Sequence, residues 1–188
     1  NLENLISHSK KVVDATKDIA LAYKPNFAFF EKWGSKGFEW LEEMMGYIGD
    51  GPITIADAKR GDIGNTAIQY AASIFGHFGF DSATLSPYMG EDSIMPFLTN
   101  KEKGVFILCR TSNPSAKTFQ SLNFHDKAKL YEQVAKWADS LNVNDNVGLV
   151  VGATAPEELI KVRRLAPSLP ILIPGIGTQG GDLVSSIK

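Results

Sequence analysis

The chain has 188 residues, 44% of them hydrophobic and 21% charged, with a formal net charge of -2 and a pI near 5.9. That is the length of one globular domain spanning 1–188, without the basic excess of a nucleic-acid binder. No apolar run approaches the ~20 residues of a bilayer-spanning helix, so neither nucleic acid nor membrane is expected as a partner.

In chain order, Leu2, Leu5, Ile6, Val12, Val13, Ile19 and Ala20 recur at helical spacing and predict an amphipathic helix over 1–20. Leu21–Asn26 reads as a short strand stopped by Pro25. Residues 27–48 carry a helical pattern interrupted at Gly34 to Gly37, and the apolar run Pro52–Ala56 reads as a buried strand. A helix over 65–75, a strand over 82–85, a short helix over 93–100 and a strand over 104–109 follow. Cys109, the only cysteine, closes that last apolar run. It reads as a buried structural thiol, and its lack of a disulfide partner fits a reducing, cytoplasmic compartment. The stretch Thr111–His125 carries no clear pattern, and long loops in compact domains are often functional. A helix over 126–141, a strand over 147–151, a helix over 156–165 opened by Pro156, and a strand over 171–173 complete the pattern.

Six strands alternating with helices specify a parallel α/β fold. An open doubly wound sheet and a (β/α)8 TIM barrel both fit that count. The barrel is favoured because polar motifs follow several successive strands, at Lys24, Asp57 with Lys59, Arg110 to Asn113, and Gly175 to Gly181. A barrel brings those strand ends to one mouth. The chain opens directly in a helical pattern without Met and stops just as another helix begins. We therefore expect the first and eighth barrel strands to be missing from the stated sequence.

The central constellation is Asp57-Ala58-Lys59-Arg60-Gly61-Asp62. Alternation along a strand puts Asp57 and Lys59 on one face and turns Arg60 away. Buried charges are costly unless paired, and here they come in alternation. The pattern suits a lysine general acid, Lys59, held as an ammonium by Asp57 and Asp62, with Lys24 extending the alternation from the neighbouring strand. Pro174–Gly181 contains a literal Gly-x-Gly-x-x-Gly at Gly175, Gly177 and Gly180. No dinucleotide-binding unit follows it, so a glycine-rich loop closing on a phosphomonoester is the better reading, with Gln179 as a polar contact. Thr111-Ser112-Asn113-Pro114 could hydrogen-bond a flat polar heterocycle or form a capped turn, and Pro87-Tyr88-Met89-Gly90 could be a wall of the site or a turn. His8, His77 and His125 belong to no motif, and no metal-ligand spacing is present.

These segments, taken in order, resemble the orotidine 5'-monophosphate decarboxylase family, in a form similar to its bacterial-type subgroup. The resemblance is carried by Ile55–Thr66, Tyr23-Lys24-Pro25-Asn26, Pro87-Tyr88-Met89-Gly90, Cys109–Pro114, Val151-Gly152-Ala153-Thr154 and Pro174–Asp182. It implies a homodimeric barrel that converts orotidine 5'-monophosphate to UMP and carbon dioxide with no metal or organic cofactor. By matching motif it implies Lys59 as proton donor, Asp57 against the departing carboxylate and Lys24 completing the charge network. It also implies Asp62 and Thr66 reaching the ribose in the partner subunit's site, Ser112 facing the pyrimidine, and Asn26, Gly177 and Gln179 among the substrate contacts. The family's ribose-binding aspartate on the first strand and phosphate-binding arginine on the eighth have no counterpart in the stated sequence. The competing expectations are a magnesium-dependent phosphosugar lyase of the same barrel superfamily, which can share Asp-x-Lys-x-x-Asp, and a non-catalytic module that binds phosphate ligands.

Overall fold

A computed structural model describes residues 1–124, 127–177 and 180–187. Its helices and strands alternate as α1 (Leu2–Thr16), β1 (Ala22–Tyr23), α2 (Phe27–Glu31), α3 (Ser35–Ile48), β2 (Ile53–Arg60) and α4 (Gly64–Ala71), with a π-helical turn over Ala72–His77. They continue as β3 (Ser82–Leu85), a 3-10 turn at Glu91–Ser93, α5 (Met95–Leu98), β4 (Gly104–Arg110), a 3-10 turn at Pro114–Ala116 and α6 (Lys117–Gln120). Last come α7 (Leu130–Leu141), β5 (Val147–Val151), α8 (Pro156–Leu165), β6 (Ile171–Leu172) and α9 (Leu183–Ile187).

Among the described residues the six strands form one sheet, every pair parallel and in the order β1-β2-β3-β4-β5-β6. A doubly wound sheet reverses direction at a switch point, whereas sequential order is the topology of a (β/α)8 barrel. The sheet's two faces follow the period of two. On β4, Val105, Ile107 and Cys109 are buried towards the helices, and Cys109 Sγ lies 3.2 Å from the Tyr131 carbonyl oxygen of α7. Phe106 and Leu108 face the other way, into the barrel. There Phe106 stands opposite Gly148, where a Cβ would come within 2.7 Å of the Phe106 ring. A large side chain against a missing one is how neighbouring strands share a narrow interior.

Helices cover the outer face with stripes at helical spacing: Gly37, Trp40, Leu41 and Met44 on α3, and Tyr131, Val134, Ala135 and Ala138 on α7. Phe27, Phe78 and Phe80 meet with ring centroids 5.8–6.5 Å apart. Pro156 opens α8, with Glu157 and Glu158 in its first turn and Arg163 and Arg164 near its end, the polarity a helix dipole favours.

Several boundaries differ from expectation. The first helix stops at Thr16. The break within 27–48 falls at Lys32–Gly34, where Gly34 has φ +62°, and Gly37 lies inside α3. Glycine is needed at 37 for a different reason: a Cβ there would sit 1.8 Å from the Phe30 carbonyl oxygen. The stretch after Thr111 contains two short helical pieces, each too brief for a periodic signal. Most consequential, β2 does not stop at Ala56 but runs on to Arg60, carrying Asp57 and Lys59 within it.

Candidate active site

At the C-terminal ends of the strands lies a cleft of about 460 Å³, lined from β2 to β6 and from the segment that follows β1. Lys24 and Asn26 follow β1, and Asp57 and Lys59 come from β2. Thr84 is on β3, Leu108 on β4, Val150 on β5 and Leu172 on β6, with Thr111, Ser112, Asn113 and Pro174 at the rim. Larger depressions exist, such as the one of about 570 Å³ bounded by Glu42, His77 and Asp81. Convergent charge, not size, distinguishes the strand-end cleft.

Asp57 is its centre, with only 8% of its surface exposed. Lys24 Nζ donates to Oδ2 at 2.6 Å and Lys59 Nζ donates to Oδ1, so one carboxylate is shared by two lysines from adjacent strands. Burial alone would raise the Asp57 pKa. Hydrogen bonds and Coulomb attraction from Lys24 and Lys59 outweigh it and hold the carboxyl below its ordinary value. The Thr84 hydroxyl, 3.2 Å from Oδ1, adds a neutral partner.

Asp62 does not join this cluster. Gly61 passes so close to Ser86 that a Cβ would lie 2.9 Å from the Ser86 Cβ. Beyond that turn the Asp62 carboxylate accepts from the Ile63 N–H at 2.8 Å instead. Of the two carboxylates expected to hold Lys59, Asp57 pairs with it in this structure and Asp62 does not; Asp62 and Thr66 lie outside the cleft lining, with Thr66 exposed in the first turn of α4. Arg60 turns away from the cleft, as its parity predicts. Its guanidinium stacks between the rings of Phe27 and Tyr70, and it donates to Glu31 at 2.6 Å.

Asn26 serves two purposes. It caps α2 by accepting from the Ala28 N–H at 3.1 Å, and it pairs with Asp57 in an isolated parallel bridge. Ser112 is held at the rim. Thr154 Oγ1 donates to its carbonyl at 3.0 Å, and Gly152 passes so close that a Cβ there would approach Ser112 Cα to 2.7 Å. The Thr111–Asn113 turn is tied down by Gln120, whose side-chain oxygen accepts from the Thr111 N–H at 2.8 Å.

Gly175, Gly177 and Gly180 all have positive φ, which explains why the turn is built from glycine. Gly177 does not line the cleft. Its N–H donates to the Gly181 carbonyl at 3.3 Å, and the Gly180 N–H donates back to Gly177 at 2.8 Å. Among the described residues of the turn, Gly175, Gly177, Gly180 and Gly181 thus hydrogen-bond to one another. Gln179 and His125 lie outside the described residues. Pro87–Gly90 forms a turn with Tyr88 89% exposed and contributes nothing to the cleft. Cys109 is buried, and burial pushes its thiol up to about 12, which fits a structural role. Thr84 was missed by the sequence reading, because a hydroxyl in a buried strand carries no motif.

The Asp57 pairing has a thermodynamic signature. A native carboxyl held below its ordinary value of 3.8 favours the folded state while ionised. That contribution is complete above about pH 4 and is lost as pH falls through the lower native value. In urea unfolding, Asp57→Asn should cost about 1–3 kcal/mol at pH 7. The gap from wild type should close as the pH falls below the ordinary carboxyl range. A gap that stays constant, or widens in acid, would contradict the assignment.

The sequence profile of the orotidine 5'-phosphate decarboxylase / HUMPS family matches residues 6–184. An orotidine 5'-phosphate decarboxylase of Halorubrum lacusprofundi is 50% identical over 181 residues, which cover 96% of this chain and 64% of that protein. The corresponding protein of Roseiflexus castenholzii is 48% identical over 187 residues, covering 99% and 68%. The chain thus spans about two thirds of the length of these relatives. The solved structure of Leishmania donovani OMP decarboxylase superposes with a TM-score of 0.91 at 46% identity, covering 96% of this chain and 71% of that one. The shared sheet and the motif-bearing strand ends agree with the resemblance drawn from the residues, and this chain belongs to the orotidine 5'-phosphate decarboxylase / HUMPS family.

Proposed function

We propose that the protein converts orotidine 5'-monophosphate to UMP and carbon dioxide, a step of pyrimidine nucleotide synthesis. The observation that carries this reading is the buried Asp57 carboxylate shared by Lys24 and Lys59 at the mouth of the sheet. Breaking the bond between the pyrimidine ring and its carboxylate releases carbon dioxide and leaves the electron pair on the ring carbon. Lys59 would stabilise that developing charge and then supply the proton that replaces the carboxylate, recovering its own proton from water. Asp57 would lie against the departing carboxylate while orienting Lys59, with Lys24 balancing the charge on the far oxygen. The rim turn at Thr111–Asn113 offers hydroxyl, amide and backbone groups for the polar edge of the pyrimidine. Asn26 stands next to Asp57, within reach of the same nucleotide. The 5'-phosphate would lie towards the glycine turn that includes Gly177 and Gln179, where its binding energy could close the loop and exclude water.

Half-buried Asp62, just before α4, and exposed Thr66, in its first turn, would serve the site of a second copy in a homodimer with shared active sites. Exposed Ile63 (48%) and Ile68 (52%) on the same helical segment supply apolar surface for such a partner to cover. A cytoplasmic setting suits a chain whose one cysteine has no disulfide partner. Among the described residues no helix is long and apolar enough to cross a membrane.

The direct test follows the loss of absorbance of orotidine 5'-monophosphate on mixing with the protein in the presence of a chelator. Wild type should turn over. Lys59→Ala should lose at least about 100-fold in rate while still binding UMP by calorimetry. Turnover unaffected by Lys59→Ala would refute the assigned role. Sharing of the site is tested separately by mixing Lys59→Ala and Asp62→Ala proteins, each inactive alone, after dissociation and reassociation. One of the two sites in a mixed dimer should then be intact and activity should return. Absence of any recovery, with mixed dimers demonstrated, would argue for sites built within single subunits.

A further inference from the structure

We infer that Thr84 is a positioning residue, whose hydroxyl holds a bulge in β2 in the one shape that aims Lys59 at Asp57. The functional part of this inference rests on the decarboxylase reading of the cleft; the structural part does not. Ala56 of β2 pairs with Ala83 of β3, and Arg60 pairs with Leu85, so Asp57, Ala58 and Lys59 together oppose Thr84 alone. A strand with surplus residues against its neighbour must kink, and bulges of this kind re-aim side chains next to active sites. The kink falls at Lys59, which has φ +48°. A non-glycine residue in that left-handed region persists only where its surroundings hold it there.

Thr84 is what surrounds it on the β3 side. The side chain is 1% exposed. Its Oγ1 accepts from the Lys59 backbone N–H at 3.0 Å and sits 3.2 Å from Asp57 Oδ1 and 3.4 Å from the Ala56 carbonyl, the two acceptors within reach of its single proton. One hydroxyl therefore touches both the backbone of the lysine and the carboxylate of its partner. Lys59 and Asp57 are joined twice, by their own ion pair and through Thr84. Removing the hydroxyl leaves a part-buried N–H without that acceptor and frees the bulge to relax, carrying Lys59 Nζ away from its place. Because the Thr84 hydroxyl is engaged by Lys59, Asp57 and Ala56, and β3 stands three places from β6, which leads into the glycine turn, nucleotide affinity should survive while the chemical step suffers.

The experiment compares wild type, Thr84→Val and Thr84→Ser by steady-state decarboxylation of orotidine 5'-monophosphate and by amide hydrogen exchange in NMR spectra. For Thr84→Val, kcat should fall about 10- to 100-fold with KM within about threefold of wild type, the size expected for a slight misplacement of a reacting group. Thr84→Ser, which keeps the hydroxyl, should restore most of kcat. The Lys59 amide should exchange at least about tenfold faster in Thr84→Val and not in Thr84→Ser, with amides of β4 and β5 unchanged. Should Thr84→Val not fold, Thr84→Ala removes the same hydroxyl without crowding and carries the comparison. Equal kcat in wild type and Thr84→Val, or equal losses in Val and Ser variants, would overturn the inference. A wild-type protein without decarboxylase activity would instead remove the reading of the cleft, and the Lys59 exchange rates would then decide whether Thr84 holds the bulge.

Discussion

The structure turns on one buried carboxylate with two cationic neighbours. Asp57 is surrounded by protein, and an isolated charge there would protonate rather than remain ionised. Lys24 and Lys59 reverse that outcome, and they can do so because β1 and β2 run parallel with their C-terminal ends side by side. The arrangement is worth more to chemistry than to stability. Buried ion pairs contribute little net folding energy once desolvation is counted, whereas a cation already held in place by a buried carboxylate need not be assembled at the moment of reaction.

Everything near that carboxylate is placed by backbone geometry more than by side-chain packing. The bulge opposite Thr84 sets the direction of Lys59, and Gly61, close against Ser86, turns the chain out of the sheet. Gly152, close against Ser112, brings the β4 rim turn over the strand ends. Arg60 locks the outer side of the same strand between Phe27 and Tyr70, so β2 is gripped from both faces where it carries charge. Substituting the glycines would disturb the cleft without touching any charged group.

Much of this was legible from the residues. Periodicity gave β3, β5 and α8 their full spans because each is bounded by turn chemistry and carries an unbroken pattern. The charge alternation at Asp57 and Lys59 was readable because a strand's period of two places them together, and Lys24 because parallel order puts its strand next door. The rest depended on contacts that no local pattern records. The register shift between β2 and β3 arises from pairing across 25 residues of sequence, so neither the extension of β2 to Arg60 nor the part of Thr84 could be read from either strand alone. Asp62 looked equivalent to Asp57 in the motif, but the turn at Gly61 sends it to the Ile63 N–H. The glycine turn read as a cradle for phosphate, and no local pattern records the bonds that link Gly175, Gly177, Gly180 and Gly181 to one another.

The central claim is that the carboxylate shared by Lys24 and Lys59 marks the place where a pyrimidine nucleotide reacts. A crystal structure of the protein with UMP tests it most directly. The account predicts the pyrimidine edge against Lys59 Nζ, above an intact Asp57 pairing, with the phosphate directed towards the Gly175–Gly181 turn. Density for the nucleotide elsewhere, or a Lys59 swung out to solvent and parted from Asp57, would contradict it.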